Sequence, residues 1–130
     1  MTQLAERFIA NQHSIARYTA VLKDETGTPV SSASVTTLTL TLYNLNSTTL
    51  AILNSRDHVN ALNANNVTLD TSGNLAYTMQ PADNVVGATI AKGDLEPHRV
   101  LFEFTWSGGV KRGSHEVTVY VRKIDKIAIL

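Results

Sequence analysis

The sequence RVLFEFTWSGGVKRGSHEVTVYVRK, residues 99–123, decides the fold of this chain. Apolar and polar residues alternate on both sides of a glycine-rich connection, and successive side chains of a β-strand point to opposite faces. The pattern therefore predicts a long β-hairpin with one apolar face. That face needs a second sheet to cover it, and it consists of Val100, Phe102, Phe104, Trp106, Val117, Val119 and Val121.

The clearest half-buried strand outside the hairpin lies at residues 35–43. Its three leucines, Leu38, Leu40 and Leu42, alternate with threonines. This pattern is typical of a strand that has one face in the core and the other in solvent. We expect this leucine row to face the aromatic row of the hairpin from the opposite sheet.

Further segments complete the strand pattern. Residues 15–23 predict a first strand, and residues 67–70 and 75–80 flank the turn sequence TSGN and predict a second hairpin. Residues 85–97 contain two glycines and a proline, and they predict a crossover between sheets that carries a short helix. The chain is therefore predicted to be all-β, with a β-sandwich of about seven to nine antiparallel strands.

The two ends of the chain are the predicted attachment segments. We divide the chain into an N-terminal arm or short helix at residues 1–15, a β-sandwich domain at residues 16–123 and an apolar C-terminal tail at residues 124–130. Exposed apolar side chains are unfavourable in water, so each end is expected to dock on its own domain or on a partner. The candidate contact residues at the ends are Leu4, Phe8, Ile9, Ile127, Ile129 and Leu130.

Composition restricts the classes of partner. The chain has 130 residues, which suits one domain, and eleven basic residues balance eleven acidic ones. Because no net charge attracts polyanions, we expect neither a nucleic-acid partner nor a membrane partner. Cysteine is absent, and no stretch approaches the ~20 apolar residues that span a bilayer. The first residues lack the pattern of a secretory signal, so the product is expected to stay soluble in the cell that makes it.

No residue pattern indicates catalysis or metal binding. The four histidines are scattered, and none has the local spacing of a zinc site. His98 and His115 are expected to form a polar cross-strand pair on the wet face of the hairpin. Asp57 and His58 are adjacent, but no nucleophile motif accompanies them. We therefore predict no catalytic residue, no cofactor and no metal ligand, and a chain that is not an enzyme.

Lys111 and Arg112 form a predicted cationic tip at the hairpin connection. Glycines beside two cations suggest phosphate binding, but a phosphate-binding loop leads from a strand into a helix, whereas this connection joins two strands. Two interpretations stay open. The tip is simply solvated, or it contacts an acidic neighbouring subunit.

An ordered set of segments carries a resemblance to a known family. The segments are YTAVLKDETG (18–27), LTLTLY (38–43), LNANNVT (62–68), QPADN (80–84) and LFEFTW (101–106). In this order they resemble a family of small structural proteins encoded in the virion modules of tailed bacteriophages and prophages. The resemblance extends over residues 18–123 and leaves the N-terminal arm outside it.

This resemblance implies a non-enzymatic virion component with an immunoglobulin-like β-sandwich. Its partners would be the major capsid protein, or neck or tail proteins of the same particle, together with further copies of itself. It would be made in the cytoplasm of the host bacterium and located in the virion. A capsid decoration or cement subunit is the first expectation, and a neck or tail accessory protein, such as a fibre anchor or adaptor, is the alternative.

A carbohydrate-binding module for host-surface recognition is a third hypothesis, because sandwiches often carry aromatic side chains that stack on sugars. The aromatic candidates are Tyr43, Tyr77, Tyr120 and Trp106. Trp106 shares a predicted face with Phe102 and Phe104, which favours a place in the core.

Overall fold

The structure is a computed structural model, and it describes residues 6–87 and 89–124. Within these ranges the chain forms eight β-strands and one short 3₁₀ turn, Pro81–Asp83. The strands are β1 (Glu6–Asn11), β2 (Ala16–Val21), β3 (Val35–Asn44), β4 (Val59–Asn60), β5 (Val67–Leu69), β6 (Asn74–Met79), β7 (Leu95–Trp106) and β8 (Lys111–Arg122). The prediction of an all-β fold is confirmed over the described residues.

The strands form two sheets. The five-stranded sheet has the order β1-β8-β7-β3-β4, and the three-stranded sheet has the order β2-β6-β5. Pairs within them are antiparallel, except that β1 runs parallel to β8. The prediction of antiparallel strands is therefore wrong for this pair. Parallel neighbours need a long connection, and here almost the whole chain lies between the two strands, so no local pattern could indicate their pairing.

β7 and β8 confirm the predicted hairpin and extend it. Pairing runs from Leu95 opposite Arg122 to Trp106 opposite Lys111. In the connection, Gly108 and its neighbours on both sides take positive φ angles. Glycine adopts this left-handed backbone region without the steric cost of a Cβ atom, so the glycine-rich sequence allows the chain to reverse within a short connection.

The core lies between the two sheets, with the aromatic row of the hairpin at its centre. Phe102 of β7 meets Tyr77 of β6 edge to face, with ring centroids 6.0 Å apart. Leu38, Leu40 and Leu42 are also buried, but β3 pairs with β7 in the same sheet. The prediction that the leucine row faces the hairpin from the opposite sheet is therefore wrong. Alternation shows that a side chain points into the core, but it does not show to which sheet the strand belongs.

Trp106 lies in the core, as predicted, with 8% of its surface exposed. Its ring stacks on Phe104 at a centroid distance of 5.4 Å. Gly113 lies opposite Phe104 on β8, and a Cβ atom at this glycine would approach the Phe104 ring to 2.7 Å. The absence of a side chain at Gly113 thus leaves the space that the aromatic stack occupies.

A buried ion pair joins the connection between β3 and β4 to the 3₁₀ turn. Arg56 Nε donates to Asp83 Oδ1 over 2.6 Å, and Asn54 Nδ2 donates to the same oxygen over 2.7 Å. The Gln80 N–H donates to the other carboxylate oxygen over 2.8 Å. Burial raises the pKa of Asp83, but these hydrogen bonds outweigh burial and hold the pKa below its usual range. The carboxylate therefore stays charged and fixes both connections.

The connection that precedes β7 contains no helix in its described part, residues 85–87 and 89–94, so the predicted short helix is not observed there. Its end instead continues the pairing beside β8. The Lys123 N–H donates to Asp94 O over 3.0 Å, and the Gly93 N–H donates to Lys123 O over 2.7 Å. These hydrogen bonds hold the chain on the β7 side of β8 where it leaves the sheet.

Candidate interaction surface

β1 places two of the predicted contact residues on opposite faces of the five-stranded sheet. Phe8 is half-buried, and its ring meets Tyr18 of β2 edge to face at a centroid distance of 5.8 Å. Ile9 points away from the core, and 53% of its surface is exposed. Residues 6–11 form a strand and not the short helix, because the peptide groups of alternate residues pair with β8. Leu4 lies outside the described residues.

Ile9 belongs to an apolar row on the outer face of the five-stranded sheet. Tyr120 lies opposite Ile9 on β8, and Pro97 lies opposite Tyr120 on β7. Alternation along each strand directs these three side chains away from the three-stranded sheet. Tyr120 and Pro97 are half-buried. Ile9, Tyr120 and Pro97 together are called the apolar row.

Arginines border the apolar row on both sides. Arg7 and Arg99 occupy the next outward-facing positions on β1 and β7, and Arg122 occupies the outward-facing position beyond Tyr120 on β8. The Arg7 guanidinium lies over the Tyr120 ring, with Cζ 4.7 Å from the centroid. Arg99 Nη1 donates to Glu116 Oε2 over 2.7 Å. Arg7 and Arg122 are exposed, and neither forms an ion pair with another described residue.

β1 is the outermost strand of the five-stranded sheet, and no described strand lies along its second edge. Gln12 N–H donates to Arg122 O over 2.9 Å. Because successive peptide groups of a strand point to alternate sides, residues 8, 10 and 12 face β8. The N–H and C=O groups of Arg7 and Ile9 therefore face the open edge. The apolar row thus ends at a strand with backbone donors and acceptors available for another strand.

Lys111 and Arg112 lie at the hairpin tip. Lys111 Nζ donates to Glu25 Oε1 over 2.8 Å, and this hydrogen bond raises the pKa of Lys111. Arg112 is exposed and forms no ion pair with a described residue. Val110, beside them, has 83% of its surface exposed. Since Tyr120 lies near the other end of β8, the tip and the apolar row are separate surfaces.

The remaining predicted contact residues, Ile127, Ile129 and Leu130, lie outside the described residues. The chain reaches them from Arg122, the last residue of β8, which lies opposite Asn11 of β1. The predicted tail therefore begins one strand away from the open edge.

A groove of about 700 Å³ lies on the outer face of the three-stranded sheet. Ala76 forms its floor between Thr19 and Thr68, which lie opposite it on the two neighbouring strands. Asp70 at its end is occupied by its own turn, because its Oδ1 accepts the N–H groups of Ser72 and Asn74 over 2.8 and 2.9 Å. This carboxylate therefore acts as a turn residue.

A smaller depression of about 180 Å³ lies on the five-stranded sheet and includes His58. His58 Nδ1 lies 2.7 Å from Asp57 Oδ1, and Nε2 lies 3.2 Å from Glu103 Oε1. Both ring nitrogens thus face carboxylates, which leaves neither positioned to take a proton from a hydroxyl nucleophile. Among the residues that the structure describes, no cluster of three or more histidines and carboxylates is arranged to hold a metal ion.

The prediction that His98 and His115 pair on a wet face is wrong. His98 is fully buried, and its Nε2 lies 2.7 Å from Glu96 Oε1. His115 lies opposite Phe102 and forms a hydrogen bond with the Tyr18 hydroxyl of the other sheet. Each histidine lies an even number of residues from the inward-facing apolar residues of its own strand. Alternation of side chains could therefore have predicted that both histidines point inward.

No known protein family, curated protein or solved structure matches this chain significantly. In the part of the chain that the structure describes, no helix is long and apolar enough to cross a membrane.

Much of the surface around the apolar row is not apparent in the sequence. Neither charge nor hydropathy pattern marks Arg7, Pro97 or Arg99 as contact residues, and the sequence marks Tyr120 only as a sugar-stacking candidate. Alternation along β7 and β8 does indicate which side chains face outward. It does not indicate that β1 joins β8, and this pairing is what brings Ile9 into the row.

Proposed function

We propose that this chain is a non-enzymatic structural subunit of a tailed-bacteriophage particle, and that it decorates the capsid in many copies. The observation that carries the proposal is the apolar row, bordered by arginines, at the open edge of the five-stranded sheet. An exposed apolar patch with a polar rim is typical of a surface that binds another protein. In this proposal the partners are the major capsid protein and further copies of the chain. The chain itself is made in the cytoplasm of the host bacterium.

The charges around the apolar row indicate the chemistry of its partner. Arg7 and Arg122 are exposed cations on opposite sides of the row. Because the chain as a whole is neutral, their positive charge is a local feature of this face. A complementary partner has an apolar centre with carboxylates around it, and such an arrangement fixes register as well as affinity.

The strand order supports an immunoglobulin-like β-sandwich as the fold of this subunit. In that fold one sheet contains strands G, F, C and C′ and the other contains B, E and D. When the present strands are lettered in chain order, β8-β7-β3-β4 and β2-β6-β5 occupy these positions. The first strand departs from this arrangement, because β1 pairs with β8 and not with β2.

The phage assignment rests on the segments that resemble virion proteins. Two of them, LTLTLY and LFEFTW, lie side by side on β3 and β7, and QPADN contains the buried Asp83. These segments therefore contribute to the strands and the core of the domain. The proposal that the domain attaches to a partner rests instead on the apolar row, whose three residues lie outside those segments.

The carbohydrate-binding hypothesis has weaker support. Trp106 and Tyr77 are buried in the core, and Tyr43 and Tyr120 are only partly exposed. The guanidinium of Arg7 already covers the Tyr120 ring. A sugar that stacks on an aromatic face would have to displace this arginine.

The decisive experiment is quantitative mass spectrometry of purified phage particles, combined with cryo-electron microscopy to locate the chain. Hundreds of copies on the capsid are expected. About six to twelve copies at the neck or tail would replace capsid decoration with the accessory-protein alternative, because those parts have low cyclic symmetry. Particles that lack the chain would overturn the virion proposal.

A surface variant tests whether the apolar row is the attachment site. Ile9→Asp combined with Arg7→Glu is expected to reduce binding to particles that lack the chain by about tenfold or more. Ile15→Asp combined with Arg17→Glu is the matched control, because it makes the same two changes of charge at an exposed isoleucine and an exposed arginine away from the apolar row. Equal loss for both variants, or no loss for either, would refute the assignment of the site.

A further inference from the structure

We propose that the open edge of β1 binds the C-terminal tail of a second copy of this chain, residues 125–130, as an added strand. The tail would run parallel to β1, with Ile127 beside Ile9. This contact deepens the proposed function by naming how neighbouring copies join. It rests on that function for its role in a particle, but the contact itself is a property of the purified chain.

The receiving edge has the features that strand addition requires. The N–H and C=O groups of Arg7 and Ile9 point outward, and no described strand occupies that side. An added strand gains main-chain hydrogen bonds there, and its alternate side chains set the register. On the outer face it would extend the apolar row by one strand, beyond the exposed side chain of Ile9.

The tail sequence DKIAIL matches this edge in length and pattern. It has six residues, the same number as β1. When Ile127 lies beside Ile9 in parallel orientation, alternation puts Asp125 beside Arg7 and Ile129 beside Asn11, all on the outer face. The carboxylate of Asp125 then meets a guanidinium that has no ion-pair partner among the described residues. In antiparallel orientation, Asp125 would instead lie beside Asn11, so charge complementarity favours the parallel orientation.

The parallel orientation requires a second copy. β8 already runs parallel to β1, so its own tail could join β1 in parallel only after returning along the full length of the strand. Such a crossover takes a dozen or more residues, and only Lys123 and Ile124 separate the end of β8 at Arg122 from Asp125. The hydrogen bonds of Lys123 to Gly93 and Asp94 also hold the chain on the far side of β8 from β1. A contact of this head-to-tail kind closes into a ring or continues as a filament.

The test is sedimentation of the purified full chain over a range of concentrations up to millimolar. We expect reversible self-association, and we expect only monomer when residues 125–130 are removed. Ile9→Pro is also expected to abolish association, because it deletes an N–H that faces the open edge and leaves the hydrogen bonds to β8 in place. Ile15→Pro is the matched control, since it changes an exposed isoleucine outside the edge, and it should associate as the wild type does.

Charge reversal tests the orientation without a change of backbone. Asp125→Arg should weaken association by about fivefold or more, and Arg7→Asp in the same chain should restore most of the affinity. Three results would overturn the proposal: a full chain that stays monomeric, association that persists without the tail, and a tail whose removal lowers folding stability while the chain remains a monomer. None of these results depends on whether the chain occurs in a virion.

Discussion

Arg56 and Asp83 form a buried ion pair between two connections that are 27 residues apart in the chain. Arg56 binds both carboxylate oxygens, through Nε at 2.6 Å and Nη2 at 3.2 Å. Arg56 lies outside every described strand and helix, and Asp83 ends a single 3₁₀ turn. The ion pair therefore holds the two connections together, as hydrogen bonds between strands hold a sheet together. No strand pairing joins these two segments.

Removal of the Arg56 side chain is expected to destabilise the domain strongly. Arg56→Ala leaves Asp83 buried without its cation, and the loss of one partner from a buried pair costs about 3–5 kcal/mol. Urea unfolding followed by circular dichroism measures this loss. Arg17→Ala is the control, since this exposed arginine lies on the groove of the three-stranded sheet. A loss below about 1 kcal/mol at Arg56 would show that the pair is not a stabilising contact.

A side chain at Gly113 is expected to disrupt the aromatic stack. The Cβ of Gly113→Ala would lie 2.7 Å from the Phe104 ring, and overpacking of this kind costs about 1–3 kcal/mol. Phe104→Leu in the same chain should make the alanine less harmful, so a double-mutant cycle of unfolding free energies should give a clear coupling. Ser114→Ala on the neighbouring exposed position serves as the control. Additive free energies would argue against the proposed steric conflict.

The outcomes for the hairpin and the leucine row show how far the sequence predicts this fold. Alternation identified the hairpin, the buried Trp106 and the inward-facing leucines, because the period of side-chain direction is a local property of each strand. It did not place β3 in the sheet of β7, nor β1 beside β8. Pairing partners depend on contacts between residues distant in the chain, and a single strand carries little information about them.

The candidate surface was predictable only in part for the same reason. Ile9 stood out in the sequence as an apolar residue near the chain start, but its neighbours Tyr120 and Pro97 come from strands more than eighty residues away. Lys111 was visible as a cation, whereas its partner Glu25 lies 86 residues earlier. The sequence thus gives the type of each side chain, whereas its neighbours in space depend on the strand topology.

Trp106 provides a direct optical test of the core and of the sugar-binding hypothesis. It is the only tryptophan in the chain, so its fluorescence is unambiguous. Burial against Phe104 predicts emission at a shorter wavelength than in the urea-unfolded chain, together with slow quenching by acrylamide. Addition of mixed oligosaccharides should leave this emission unchanged. A saturable shift with a sugar would favour the carbohydrate-binding module.

His98 is expected to make stability depend on pH in the mildly acidic range. The side chain is fully buried, and burial lowers its pKa below 6.5, although the hydrogen bond to Glu96 partly opposes this effect. The unfolded chain therefore binds a proton at this histidine at a higher pH than the folded chain does. It follows that the contribution is complete above about pH 6.5 and is lost as the pH falls towards the folded-state pKa.

Urea unfolding of the wild type and of His98→Gln between pH 7.5 and 5 isolates this contribution. The slope for one group cannot exceed about 1.4 kcal/mol per pH unit, and the wild type should lose stability with up to this slope below about pH 6.5. Glutamine keeps a donor for Glu96 but does not titrate, so the variant should have a flatter profile over the same range. If both proteins lose stability in parallel, the pH dependence arises elsewhere. A flat wild-type profile would mean that the buried ring accepts a proton as readily as the unfolded chain does, which contradicts the cost of placing a charge between the two sheets.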